Sequence, residues 1–307
     1  MEWDEAVLWE GDIKELITMV YATQKDNILI EHELNIHPSF IKSTYTVYKR
    51  QLLRLVSSKM QIIFMLLMPI LFLAVIGQAF KNFLPNGVQG MDYLTFMTPG
   101  VLIMVTLFSG IFGGISLFYD RDSGYLKNYL IAPSPRTAIV TGYALGTGTR
   151  VVIQVAVLLG LAVLLGAKLN LTIFNVLIIF VFALLTTNFL MGLSITLAAK
   201  APNVEVFQQV IMPIVMPLQF LAPVMYTTDA LPSYFQPIAK INPITFGIDG
   251  IRGTLFKPSI AKYLTTPIIN TPLITNNLVL FDLLFLLIIG TFFLYIGARL
   301  FLKSLAG

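Results

Sequence analysis

Four stretches of this chain are uncharged over lengths that no water-facing element tolerates. No Asp, Glu, Lys or Arg occurs in Tyr93–Tyr119, Thr137–Thr149, Val151–Ala167 or Leu169–Ala199. A bilayer core about 30 Å thick takes about 20 apolar residues as a helix. Inside it every backbone polar group must be bonded within the protein, which leaves helices as the solution for runs of this kind. With 56% hydrophobic residues, 12% charged residues and a mean hydropathy of +0.81, the chain reads as an all-α integral membrane protein. Six spans are expected: Met60–Phe80, and then about Pro99–Phe118, Ala138–Leu165, Leu171–Ala198, Val206–Tyr226 and Leu278–Ala298.

The residue census removes several chemistries. There is no cysteine, and the two histidines, His32 and His37, precede the first span. Thiolate metal sites and intramembrane histidine chemistry are thereby excluded. No GxxxxGK[ST] phosphate loop occurs, and the spans hold no paired carboxylates for proton relay. No catalytic residue, bound cofactor or metal ligand is expected of this chain. Energy for uphill transport would have to come from a partner. An ion-coupled carrier is disfavoured by the poverty of intramembrane acids, and a non-transporting scaffold stays open as an alternative. Nucleic acid is not an expected partner, because the cations flank spans instead of forming one stripe.

Charge divides the chain into three parts. Residues 1–37 form an acidic extension, in which Ile13, Leu16, Ile17, Val20 and Tyr21 have helical spacing. Residues 38–59 reverse the sign with Lys42, Lys49, Arg50, Arg54 and Lys59. Tyr45, Tyr48, Leu52, Leu55 and Val56 interleave with them. A basic amphipathic helix of this type lies in the membrane interface, on the anionic cytoplasmic leaflet. Residues 60–303 then form the six-helix membrane domain. Counting Lys and Arg at the ends of the spans places both termini in the cytoplasm of a multi-pass cell-membrane protein.

Within that domain, residues 119–136, YDRDSGYLKNYLIAPSPR, are a charged island between two spans. Its middle reads as an amphipathic helix stopped by Pro133 and Pro135. Gly110 and Gly114, and likewise Gly142 and Gly146, have the small-residue spacing that lets helices approach closely in lipid. Internal packing and a subunit interface are equally compatible with it. Arg150 lies well inside the third span, as an anchor or a pathway residue. Thr187 and Asn188 make the fourth span polar, through interhelical bonding or as a pathway lining. Asp282 is expected to be solvated near the outer interface. The segment before the last span reads as two short helices, partly re-entrant, followed by an exposed loop.

Together these residues resemble the permease subunit of a type-2 ATP-binding-cassette (ABC-2) exporter, closest to the daunorubicin-resistance-type and the polysaccharide and nodulation-factor permeases. The resemblance spans about residues 40–303. It rests on the basic helix around Tyr45–Lys59, on the 119–136 island, and on MPLQFLAPVMYTTDALPSYFQPIAKINPITFGIDGIRGTLF with its ALP turn and NP dipeptide. Lys127 departs from the acid often found in the family's loop. The resemblance implies a half-transporter that pairs with a second copy, each copy bound by a separate ATPase subunit that uses ATP and Mg. It implies export of an amphipathic or hydrophobic drug, lipid or glycan-type substrate. The island would be the coupling helix. In that role Leu126, Tyr129 and Leu130 would dock, Asp120, Arg121, Asp122 and Lys127 would set register, and Gly124, Pro133 and Pro135 would shape the turn and exit. The helix around Pro243–Leu255, with Pro243, Asp249 and Arg252, would shape an outer gate.

Overall fold

The computed structural model describes residues 39–57, 59–80, 91–126, 135–256, 264–265 and 277–304. The acidic extension 1–37 and four expected coupling residues, Lys127, Tyr129, Leu130 and Pro133, lie outside the described residues. Among those described, every regular element is helical: α1 (Phe40–Ser57), α2 (Lys59–Ala79), α3 (Tyr93–Asp122), α4 (Thr137–Leu164), α5 (Ile173–Ala198), α6 (Val204–Leu221), α7 (Gln236–Ile241), α8 (Pro243–Leu255) and α9 (Leu278–Ser304).

Five of these, α3, α4, α5, α6 and α9, are long and apolar enough to cross a membrane, and they lie on five of the six expected spans. The remaining expected span coincides with α2, which is not uniform. Lys59–Leu71 is α-helical, Phe72–Ile76 is a π-helical stretch, and Gly77–Ala79 is α-helical again. The disturbance follows Pro69, whose ring crowds the preceding turn and which offers no N–H to it. A π turn is a common way for a helix to absorb such a misfit.

The central element is α3, a 30-residue helix buried along almost its whole length. Its packing against α5 depends on the first glycine pair. A Cβ at Gly110 would lie 2.8 Å from the Thr187 carbonyl oxygen and 2.9 Å from Leu190 Cβ, and one at Gly114 would overlap Ser194. Ser194 Oγ uses that proximity to donate to the Ile111 carbonyl at 3.0 Å, and Ser109 Oγ donates to Gln154 Oε1 of α4 at 2.6 Å. The spacing that sequence left open between internal packing and a subunit contact therefore serves internal packing. By contrast, α6 and α9 leave much of their apolar surface outward, including Phe220, Ile288 and Phe292, as lipid-facing helices do.

Two short helices do precede the last span. Ile238 and Ile241 of α7 are exposed, whereas α8 is buried from Pro243 to Arg252. Asn242 starts α8 by accepting a hydrogen bond from the Ile244 N–H at 3.0 Å, with Pro243 in the first turn, where its missing N–H costs nothing. The helix is then held by Gly247 and Gly250, which face Thr186 and Phe182 of α5.

The packing makes a contrast between two glycines testable. Gly110→Val should lower the melting temperature of the detergent-solubilised protein by several degrees, because overpacking against backbone costs about 1–3 kcal/mol. Gly160→Val should leave it nearly unchanged, because a Cβ there meets open space. Equal shifts would show that α3 and α5 are not packed this closely.

Candidate functional site

The second glycine pair builds the site at one end of the bundle. On α4, a Cβ at Gly142 would lie 2.6 Å from Val47 Cβ, and one at Gly146 would lie 2.5 Å from Gln51 Cβ. The two glycines thus form a groove in which α1 seats Thr44, Val47 and Gln51, all buried. Of the five residues expected on the apolar face of α1, Leu55 is buried, while Tyr45 and Val56 point outward with Leu53. The difference has a physical cause: an interfacial helix presents its large apolar side chains to lipid and needs a small, mixed face to lie against protein.

This seating brings Arg50 and Arg54, one turn apart, to the end of α3. Arg50 Nη1 donates to Asp120 Oδ2 at 3.0 Å and Arg54 Nη1 donates to the same oxygen at 3.3 Å. The Tyr143 hydroxyl of α4 also donates to that oxygen, and it accepts from Arg50 Nη1 at 3.2 Å. The Arg50 guanidinium lies 3.7 Å over the Tyr125 ring. Burial alone would lower its pKa, but the Tyr143 hydroxyl and the Asp120 carboxylate outweigh burial and raise it, so it stays charged. The Asp120 side chain is 5% exposed, against 23% for Arg50 and 44% for Arg54. One inward-facing carboxylate therefore ties α1, α3 and α4 together.

Just beyond it the chain turns. Gly124 adopts a left-handed φ of 72°, the conformation that glycine takes at a helix C-terminus without a Cβ penalty. Its N–H bonds the Arg121 carbonyl at 3.0 Å, and the Leu126 N–H bonds the Asp120 carbonyl at 3.0 Å. Leu126 turns into a cluster with Leu117, Ile139, Val140, Tyr143, Met191 and Phe301. Arg121 reaches sideways, donating to the Ala201 carbonyl at 3.0 Å and to Ser304 Oγ at 3.2 Å, with its guanidinium 4.2 Å over Phe118. It thus joins the ends of α3 and α9 and the turn after α5.

The expected coupling residues therefore separate into two groups. Asp120 and Leu126 are engaged inside the chain, the carboxylate by three internal partners and the leucine at 1% exposure, whereas Arg121 is half-buried and reaches across to Ala201 and Ser304. Among the described ones Asp122 faces out, beside Ser123 and Tyr125, which the sequence reading had not singled out. Sequence reading did not connect Asp120 with Arg50, Arg54 and Tyr143. The cations at 38–59 facing an acid at the edge of an uncharged run were the signal, but the pairing distances run to 70 residues.

Arg150 is buried in α4 at 8% exposure. The polar residues of α5 mostly serve their own helix. Thr187 Oγ1 donates to the Ala183 carbonyl at 2.7 Å and Thr196 Oγ1 to the Gly192 carbonyl at 2.7 Å. Ser194 crosses to α3, and Asn188 is half-buried.

At the opposite end, Arg252 of α8 is fully buried. It donates to the Pro223 carbonyl at 2.7 Å and the Leu264 carbonyl at 3.0 Å, lies over Phe96, and stands 3.9 Å from Asp249 Oδ1. Asp282 is buried at 2% exposure, which corrects the expectation that it is solvated. The packing of α8 against the first turns of α9 covers it.

Residues 42–256 match the family model of the ABC-2 type transporter. Among similar proteins, the transport permease ycf38 of Cyanophora paradoxa is 29% identical over 216 residues, covering 69% of this chain and 74% of its own. The daunorubicin resistance ABC transporter permease DrrB1 of Streptomyces coeruleorubidus is 24% identical over 247 residues, covering 76% and 82%. The inner membrane transport permease YadH of Escherichia coli is 28% identical over 168 residues, covering 53% and 63%, so the chain spans a little under two thirds of that relative's length.

Removing the carboxylate leaves two cations without a counter-charge at a partly buried site, a change that costs about 3 kcal/mol or more. Asp120→Asn should lower the thermal stability in nanodiscs accordingly. Adding Arg50→Gln to it should recover part of the loss, as expected of directly coupled residues. Additive losses in the double variant would show that Arg50 and Asp120 are not partners.

Proposed function

The chain belongs to the ABC-2 type transporter family and is a multi-pass membrane permease, and we propose that it is the membrane-spanning half of an ATP-driven exporter. The observation that carries this reading is the turn at Ser123–Leu126. It is rooted on the Asp120 cluster, so force applied to the outward-facing Asp122 and Tyr125 passes directly to α1, α3 and α4. A chain without a GxxxxGK[ST] loop of its own then takes energy from a separate ATP-binding-cassette subunit, which uses ATP and Mg. The family as a whole works with such subunits.

Two permease copies, each with one ATPase subunit, would form the working unit in the cell membrane with both termini cytoplasmic. The cargo is an amphipathic or hydrophobic molecule, drug-, lipid- or glycan-like. A daunorubicin resistance permease among the similar proteins supports the drug-like end of that range. The buried helix α8, fixed through Arg252 and Asp249, forms the outer closure that must shift for release. An ion-coupled mechanism would need acids along the spans. Among the described residues the buried acids sit at the ends, as Asp120 and as the Asp249 and Asp282 group.

The test uses the complex with its ATPase subunit. Asp122→Lys, on an exposed position, should abolish transport and reduce substrate-stimulated ATP hydrolysis about tenfold or more, with the permease melting within a few degrees of the parent. Unchanged transport in that folded variant would refute the coupling role of this turn.

A further inference from the structure

The Asp120 cluster leaves one charge unanswered. Arg150, on α4, is more than nine-tenths buried. Its Nε meets no acceptor, and no hydrogen bond or ion pair reaches its guanidinium among the described residues. An arginine held in a membrane span without a counter-ion is costly, and such residues are kept where they meet a ligand or a pathway.

Arg150 and Arg54 line the same cavity, about 470 Å³, between α1, α3 and α4. That size lies within the range of small-molecule sites. Ser116 stands on its wall and receives Arg54 Nη1 at 3.3 Å, which leaves the hydroxyl proton free to donate. Asp120 also borders the cavity, but its carboxylate is shared with Arg50 and Tyr143 as well as Arg54. Within the lining, two guanidinium groups stand against one carboxylate, which Arg50 from outside the lining also shares, so positive charge is in excess. Phe112, Ile115 and Tyr119 supply an apolar wall, and Phe112 and Tyr119 are partly exposed at its mouth.

We infer that this cavity binds a phosphate group, held by Arg54 and Arg150 with Ser116 as a neutral donor. Two guanidinium forks around a dianion reproduce the paired, charge-assisted geometry in which arginine recognises phosphate. The adjoining aromatic wall suits a ligand that carries an apolar tail, but the anion alone satisfies Arg150, with Arg54 shared between it and Asp120. The site goes beyond the export reading and stands or falls without it, because binding is measured on the permease alone.

The experiment titrates purified permease in dodecyl maltoside with dioleoyl phosphatidic acid, with dioleoyl phosphatidylcholine as the zwitterionic control. Inorganic phosphate serves as competitor. Phosphatidic acid should bind the parent protein and bind Arg150→Gln about tenfold more weakly, the loss expected for one charge-assisted contact. Arg150→Lys should fall between them. Competition by inorganic phosphate identifies a soluble anion as sufficient; its absence, with phosphatidic acid still bound, identifies the lipid headgroup, and both outcomes support the site. Equal binding by the parent and Arg150→Gln overturns it, as does failure of phosphatidic acid and phosphate alike to bind the parent. A second measurement separates ligand binding from a structural role. Without added anion, Arg150→Gln should melt at or above the parent temperature, because it removes a buried charge that has no counter-ion among the described residues. A lower melting temperature would show that Arg150 is already paired, and overturns the inference.

Discussion

The arrangement at one end of this molecule follows from the cost of leaving charge unpaired where water is scarce. Asp120 sits where α3 leaves the apolar bundle, and its carboxylate is shielded by the helix that carries its partners. Arg50 and Arg54 are held there by α1, and α1 is held by the groove of Gly142 and Gly146. Each feature depends on the one before it: without the glycines α1 stands off, without α1 the carboxylate is bare, and without the carboxylate the end of α3 has no anchor. A single acid among cations is enough because a charged hydrogen bond in a partly buried setting is worth more than one in water.

The interior of the bundle uses a different principle. In lipid there is little hydrophobic gain in bringing two apolar helices together, so association rests on close contact and on a few polar bonds. The contact of α3 with α5 shows both, through the glycine-lined approach at Gly110 and Gly114 and the Ser194 bond to the Ile111 carbonyl. The same logic fixes α8 between α5 and α9, where Gly250 admits the Phe182 ring and Arg252 satisfies the Pro223 and Leu264 carbonyls. Irregular backbone at that depth is tolerated because a buried guanidinium supplies the donors it lacks.

Much of this was legible in the amino-acid order, and the limits have physical causes. Uncharged runs specify helices and their approximate extents, because the bilayer imposes one length scale on all of them. The family was readable from the 119–136 island and the ALP and NP segment. Side-chain direction was not. The island looked like a surface element, yet Asp120 and Leu126 turn inward, because charge sequence alone does not distinguish a residue exposed to water from one satisfied by cations 70 positions away. Asp282 was misjudged for the same reason, since its cover comes from α8, a helix far from it in register. Tyr143 carried no sequence signal: a tyrosine in an apolar span reads as core until a carboxylate is placed beside it.

The π-helical stretch Phe72–Ile76 carries a mechanical implication. Such a stretch stores one residue more than an α-helix needs for the same rise. Returning it to α geometry would advance the register by one position and rotate whatever follows by about 100°. The beginning of α2 adjoins the basic helix that holds Asp120, and its end bonds the far end of α4 through Gln78 and the Leu165 carbonyl at 3.0 Å. With both ends held, a return of Phe72–Ile76 to α geometry would have to break the Gln78 bond to Leu165 or carry the basic helix with it, so the extra residue in the turn is what lets both contacts form at once.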